Sequence, residues 1–503
     1  MKTKVSLVLL TLCLGLILAF GVADSLAASV FRPGNPVLDP DHNQQNVPRN
    51  TPVTITYSET IDLATVNTHT FAVFSMETGQ FQGNYTVVGG MIKLSPQIPY
   101  HGGEVIEVVA TTGTLGIVSG EGPVSPTVWQ FLTATDPASG FFHDSLQELG
   151  LMNSWDVALG DLDGDGDLDA FVAKVGENYV WVNNGAGVFT DSGQRLGSPY
   201  ATHKDVKLGD LDGDGDLDVF VVVNGISTYG QVWVNDGSGQ FTDSGQNLGA
   251  NDGAASSLGD LDGDGDLDVV FIRSSNYLSL ILLNDGTGHF TESDQSLPGL
   301  SSTDAALGDL DADGDLDIFV TNNTGQTGSY QQVWFNDGTG HFTDSGQHIG
   351  NIPCNSVALG DVNGDGTLDA VLAITRPQGY YLAPNEVWYN NGLGVFTDSG
   401  QRLGTASTNQ AVLGDLDGDG DLDAFFTNLN KIENEIWLND GTGIYSISRQ
   451  FLGSSLSPHV SLGDLNGDNI LDAFMTHIDE PDGVWINLQQ VFWILLPRIG
   501  RGG

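Results

Sequence analysis

The chain has 503 residues, room for two or three domains, and carries 64 Asp and Glu against 16 Lys and Arg, a formal net charge of −48. That imbalance excludes nucleic acid and anionic membrane surfaces as partners, because both are bound through basic patches. A hydrophobic fraction of 40% with 9 Trp and 23 Phe excludes a disordered acidic chain, and 67 Gly predict many tight turns between short strands. Residues 1–28 read as an export signal. Lys2 and Lys4 form a basic start, Val5 to Val22 is mostly apolar, and "SLAAS" offers a small-residue cleavage site near Ala27 or Ala28. The alternative is a retained membrane anchor, for which the apolar run is just long enough. Leu12 stands where a lipoprotein signal around Cys13 requires a small residue. Cleavage leaves no membrane span and Cys354 as the only cysteine, so the exported protein needs a staple other than an internal disulfide.

Residues 30–135 read as a small β-sandwich. "TPVTITYSETI" alternates Val53, Ile55 and Tyr57 with Thr54, Thr56 and Ser58, the pattern of a half-buried strand; "EVIEVVAT" and "TVWQFLTAT" read similarly. The segments "NVPRNTPVTITYSETIDLATVNTHTFAV" and "WQFLT" resemble the bacterial Ig-like domains of exported proteins, which implies a spacer or display role and no chemistry. "DPASG" at 136–140 is expected to be a linker.

Residues 140–489 form a repeat array. An aspartate-rich loop begins at Asp161, Asp210, Asp260, Asp309, Asp361, Asp415 and Asp464, a period of about 50 residues that points to a propeller or array. Each unit holds an apolar segment before the loop, a second after it, a third of the type "VWVN", and a fourth, "FTDSGQ.LG", beyond an Asn/Asp-Gly turn suited to a tight hairpin. The array is entered by "GFFHDSLQELG" (140–150), which matches the fourth segment of a unit, and ends on "GVWINLQ", a third segment with no fourth after it. The two ends are therefore expected to pair, closing a ring of seven four-stranded blades without exposed sheet edges. The fold class expected is all-β: an Ig-like β-sandwich followed by a seven-bladed β-propeller. An open solenoid is the alternative, but it would be expected to carry atypical polar caps.

The loop reads D-x-D-x-D-G-x-x-D in five of the seven copies, with Asn at position three of the fifth and at positions three and six of the seventh. Like charges packed so closely require a compensating cation. Side-chain oxygens at positions one, three, five and nine with a carbonyl at seven suit calcium better than the strictly octahedral magnesium. The expected ligands of the first loop are Asp161, Asp163, Asp165 and Asp169, with Asp167 through its carbonyl. Gly166 permits the sharp turn. The same positions are Asp210, Asp212, Asp214, Asp216 and Asp218 in the second loop, and Asp260, Asp262, Asp264, Asp266 and Asp268 in the third. They are Asp309, Asp311, Asp313, Asp315 and Asp317 in the fourth, and Asp361, Asn363, Asp365, Thr367 and Asp369 in the fifth. The sixth has Asp415, Asp417, Asp419, Asp421 and Asp423; the seventh has Asp464, Asn466, Asp468, Ile470 and Asp472. Up to seven calcium ions follow. The fifth and seventh loops are the weaker candidates, and Asn469 replaces the turn glycine in the seventh.

An EF-hand is excluded because its twelfth position should be Glu and is Val172 here, within a β-like run. The array resembles the FG-GAP or VCBS-type repeats best known from the seven-bladed propellers of integrin α subunits. The resemblance implies fold and metal. It does not carry integrin ligand recognition, since the motif fills all seven loops here and the Phe-Gly and Gly-Ala-Pro signatures are not clearly present.

Trp181, Trp233, Trp334, Trp388, Trp437 and Trp485 recur in the third segment, with Leu282 in their place in the third unit. Regular recurrence in a strand reads as packing between blades rather than sugar stacking. No H-E-x-x-H, G-x-S-x-G or phosphate-cradling loop is found, the 10 His are scattered, and His289 and His341 fall in repeat turns. No catalytic residue and no organic cofactor are assigned. The expected function is an exported, monomeric interaction, adhesion or structural module with an unidentified protein or glycan ligand. The alternatives are a calcium-stabilised lectin, since some fungal lectins share the fold family, and a polysaccharide-acting enzyme. The varied connections "TRPQGYYLAPNE" (375–386), with Arg376, Tyr380 and Tyr381, and "NNTGQTGSYQQ" (322–332), with Tyr330, mark an expected docking region on the face opposite the loops. The tail 490–503 has no assigned role: "LPRIG" resembles a sorting motif but has Ile499 in place of Thr.

Overall fold

The computed structural model describes residues 36–489 apart from 151–152, 226–228, 251, 275–276, 299–300, 378–383, 430–431, 451 and 454–455. The export signal, Tyr380, Tyr381 and the C-terminal tail lie outside the described residues. Among the described residues all regular structure is β apart from one 3-10 turn at Leu63–Thr65, and no helix is long and apolar enough to cross a membrane.

The first part of the chain folds as two antiparallel four-stranded sheets. One runs in the order Val37–Asp39, Val53–Thr56, Met91–Pro96 and Gly83–Val88. The other runs Gly79–Gln80, Phe71–Ser75, Val105–Ala110 and Thr127–Leu132. The alternation read from the sequence holds: Val53 and Ile55 are buried while Thr54 and Thr56 are only partly so. Val53, Ile55, Ile92, Phe71, Val108, Trp129 and Phe131 form the core between the sheets.

The repeat region forms seven sheets with one plan. In the first, Ser154–Gly160, Asp169–Lys174, Tyr179–Val182 and Thr190–Asp191 pair in sequence order, with the aspartate loop between the first two strands. The last sheet takes its fourth strand from before the array: Ala138–Asp144 pairs antiparallel with Gly483–Gln489. The register is that of the other sheets, because Trp485 faces Asp144 as Trp181 faces Asp191 and Trp233 faces Asp243. The stretch expected to be a linker is thus partly strand, since Ala138 to Gly140 belong to this pairing. Its carbonyls and amides gain ladder partners that a linker would leave to water.

Neighbouring sheets are clamped by two side-chain amides that the repeat supplies each time. In the fourth segment, Gln194 donates to Gly239 O and accepts from Phe241 N–H, reaching from the first sheet to the second. Gln450 makes the same pair of bonds to Phe142, reaching from the sixth sheet to the strand 138–144. Gln147 does so from the last sheet to Gly187 O and Phe189 N–H of the first. The second clamp is the Asn that ends "VWVN". Asn183 Nδ2 donates to Leu465 O of the last sheet, and Asn235 Nδ2 to Leu162 O of the first. Phe189 and Phe474, 5.4 Å apart and edge to face, belong to a hydrophobic cluster shared by the first and last sheets. The third-strand tryptophans pack as expected: Trp181, Trp233 and Trp334 are buried, and Trp388 and Trp437 donate their indole N–H to Glu386 and Glu435. Cys354 is a buried thiol.

Candidate metal centres and the face that carries them

Each aspartate loop is built around its first carboxylate. Asp161 Oδ1 accepts the N–H of Gly164 and Asp165, and Oδ2 that of Gly166. The carboxylate thus satisfies amides that the tight turn leaves without ladder partners. Gly164 and Gly166 have φ of +78° and +91°, values side chains resist. The seventh loop reaches the second of these with Asn469 at φ +62°, a conformation Asn adopts more readily than most side chains. The ninth carboxylate lies at the base of the second strand. Asp169 accepts from Leu162 N–H and Asn183 N–H, so the residue that clamps the neighbouring sheet also fixes the loop. Asp169, Asp218, Asp268, Asp317, Asp369, Asp423 and Asp472 are all 0% exposed.

Five loops bring positions one, three and nine together with ligand oxygens within 4.8 Å of one another. They are Asp161, Asp163 and Asp169; Asp210, Asp212 and Asp218; Asp260, Asp262 and Asp268; Asp309, Asp311 and Asp317; and Asp415, Asp417 and Asp423. Such a group can hold a metal ion. The position-three oxygens support that use: Oδ1 of Asp163, Asp262, Asp311 and Asp417 is buried with no hydrogen-bond partner among the described residues. Buried carboxylate oxygens without a donor are costly unless a cation meets them. Position five does not join these triads; Asp165 Oδ1 instead accepts the N–H of Asp167. Burial, with the neighbouring carboxylates adding to it, raises the ninth aspartate to about 7 at Asp169 and to about 8 at Asp218 and Asp317. In the seventh loop Asn466 Nδ2 donates to Asp472 Oδ2 at 3.0 Å, an amide standing where the five triad loops present a third carboxylate.

The loops and the Asn/Asp-Gly turns share one face, as the strand order requires: Gly164 lies beside Gly237 O and Gly239 beside Asp163. That face is not bare. The Ig-like body sits on it and reaches each loop with a different group. Glu77 O accepts from Asp161 N–H in the first loop, and Gly79 packs against Gly215 of the second. Glu107 Oε1 accepts from Asp260 N–H in the third, and His42 lies 3.5 Å from Asp309 in the fourth. Gln45 donates to Asp361 O, Thr135 to Asp415 Oδ2, and Arg49 to Asn469 in the last three. The spacer expected from the Ig-like resemblance is therefore docked. Glu77 is pushed to about 8 and Glu107 to about 7 by burial beneath it. "EVIEVVAT" hides this, because a polar residue in a strand reads as solvent-facing. On the opposite face, Tyr330 stacks on His348 with ring centroids 3.6 Å apart, and Arg376 is exposed.

Bacterial Ig-like domains match residues 36–133. The FG-GAP-like repeat family matches 161–221, 210–271, 260–320, 309–372 and 415–475, which together exceed half of the chain and include every aspartate loop. None of the curated proteins compared matches. Among solved structures, the chain is similar to an Agrocybe aegerita lectin described as recognising non-reducing terminal N-acetylglucosamine (22% identity over 66% of this chain and 87% of that one, TM-score 0.41). It is also similar to rhamnogalacturonan lyase YesW (13% identity, 88% and 90% covered, TM-score 0.39). A third is a functionally unknown protein from Desulfotomaculum acetoxidans (13%, 67% and 96%, TM-score 0.43). With its repeated loop, its four-stranded unit and a family match over more than half of its length, the chain belongs to the FG-GAP-like repeat family and carries a bacterial Ig-like domain ahead of the repeats.

Proposed function

We propose that this is an exported calcium-binding protein in which residues 140–489 close as a seven-bladed propeller, residues 30–135 form the Ig-like domain, and the whole serves as an adhesion, interaction or structural module outside the cell or at its surface. The observation that carries the reading is the set of buried position-three oxygens without donors inside carboxylate triads. Bound calcium supplies the positive charge that lets these carboxylates stay ionised when buried. The all-oxygen donor set and its repetition favour calcium over a transition metal. The clamps from the last sheet to the first support closure. The apolar leader with Lys2 and Lys4 supports export. The reading includes a monomer and a protein or glycan partner.

Calcium titration of chelator-treated protein, read by native mass spectrometry, is expected to show five ions held tightly, one per carboxylate triad. The two Asn-containing loops fill later. Binding of no ion, or equal affinity for magnesium and calcium, removes the assignment.

A further inference from the structure

The innermost strands carry a second feature, at the end away from the loops. Toward the loops the seven repeats are uniform, each inner strand ending in Leu-Gly, from Leu159-Gly160 to Leu462-Gly463. At the other end the uniformity stops. Six inner strands have a register shift at one equivalent position. The shifted residues are Trp155, Lys204, Ala254, Thr303, Asn355 and Asn409. A β-bulge re-aims the side chain it displaces. Here all six displaced residues line one cavity of about 320 Å³.

The layer beneath them is as varied. His459 Nδ1 lies 2.8 Å from Asp156 Oδ1, and Lys207 Nζ donates to Asp205 at 2.6 Å. Burial opposes charge on His459, but Asp156 outweighs it and raises the imidazole's pKa. The charged residues that line the cavity itself, Asp205 and Asp304 against Lys204 and His459, balance two against two, so the lining favours neither an anion nor a cation. The rim is rich in neutral donors and acceptors. Asn409 Nδ2 donates to Pro458 O, which fixes the amide. Asn355 is held by Thr408 O and Asn323. The Trp155 indole N–H is buried with no hydrogen-bond partner among the described residues, and Lys204 Nζ lies over the indole ring. Glu77 and Glu107 of the Ig-like body line a separate cavity further along the axis, on the loop side, so a solute reaches this cavity from the bulge end.

We propose that this axial cavity binds a neutral carbohydrate, a pyranose or a disaccharide. The argument is chemical. Vicinal hydroxyls each donate and accept, and they match a lining that mixes amides, hydroxyls, paired carboxylates and one indole. The volume is at the lower end of the roughly 300–1,000 Å³ typical of small-molecule sites. Repeat-specific residues at one mouth of a uniform scaffold are where recognition is placed when packing no longer constrains the side chain. This rests on reading the chain as a binding module, but not on the loops holding calcium.

The test uses calcium-loaded full-length chain and a panel of glucose, galactose, mannose, rhamnose, N-acetylglucosamine and their β-linked disaccharides, with glucuronate and glucosamine as charged counterparts. Calorimetry is expected to show saturable binding of at least one neutral sugar. Ala254→Tyr narrows the mouth without removing a hydrogen bond, and Asn355→Ala with Asn409→Ala removes two amides. Each is expected to weaken binding roughly tenfold or more; the amide pair also gives up its bonds to Thr408 O, Asn323 and Pro458 O, so its melting temperature is expected to fall while the chain stays folded at the assay temperature. The Trp155 indole N–H resonance, assigned with Trp155→Phe, is expected to shift in wild-type protein when sugar is added, a readout independent of how the variants fold. No binding by the panel, preference for a charged counterpart, an unmoved Trp155 resonance, or unaltered affinity in both folded variants overturns the proposal. A calcium titration of the same sample separates the readings, since filled loops without sugar binding remove the cavity alone.

Discussion

Stripping divalent cations with EDTA at pH 8 is expected to lower the melting temperature of the full chain by about 10–20 °C, because ligand bound only by the native state stabilises it by mass action. One site at a hundred times its dissociation constant contributes about 2.7 kcal/mol, and 1 kcal/mol moves melting by roughly 2–4 °C in domains of 150–250 residues. Two of the five triads suffice for that range. The effect is not confined to the loops. The ninth aspartate of each loop also holds the Asn that clamps the next sheet, and the Ig-like body rests on the same loops. An unchanged melting temperature in excess EDTA would remove the metal from the account.

The pH dependence is expected to change sign with calcium. Without a cation, burial raises Asp169 to about 7 and Asp218, Asp317, Asp423 and Asp472 to about 8. The same side chains titrate near 3.9 in an unfolded chain. Between about pH 4 and 8 the native state therefore binds more protons than the unfolded state, so chelated protein loses stability as pH rises through that window and regains it on acidification. With calcium the ligands must be ionised, so the calcium-dependent increment is lost as pH falls. Melting temperatures measured with and without calcium should diverge at pH 8 and converge toward about pH 5. Parallel curves would show that these carboxylates do not share a cation.

The loops were legible in the sequence because a single stretch of nine residues contains the whole device: the nucleating Asp161, the turn glycine and the buried Asp169. The four-stranded unit was legible for the same reason, its strands joined by short local turns. The docking of the Ig-like body was not. Its contacts join residues some 80 to 420 positions apart and use groups without a residue signature, such as Glu77 O, Gly79 and Asp361 O. The axial cavity was missed for a different reason. Trp155, Lys204 and Thr303 each sit in a strand whose period reads normally, and only the bulge turns them toward a shared space. Comparing the seven repeats column by column, and asking where a uniform position becomes diverse, is the signal that could have found it.

Removing residues 138–150 is expected to turn the full chain into an aggregating or multi-step unfolder. The deletion strips the strand Ala138–Asp144 from the last sheet and leaves Gly483–Gln489 as an open edge, whose free amides and carbonyls recruit other chains. It also removes both clamps that pass through this strand: Gln450 loses Phe142, and Gly187 and Phe189 lose Gln147. A milder variant isolates the packing term. Phe142 is 4% exposed and meets Phe425 edge to face at 6.2 Å, so Phe142→Ala should cost about 3–5 kcal/mol, the range for a buried Phe. Gln147→Ala leaves the strand pairing intact and tests the clamp alone, at about 1–3 kcal/mol for hydrogen-bonding groups left unpaired. In a ring these losses fall on the junctions of the last sheet with both the sixth and the first sheets and propagate to those neighbours. In an open array they would be confined to one terminal sheet. Hydrogen exchange distinguishes the cases: loss of protection in both Asp169–Lys174 and Asp472–Met475 is the expected result for a ring. A monomeric deletion variant with unchanged melting and protection would establish the open array instead.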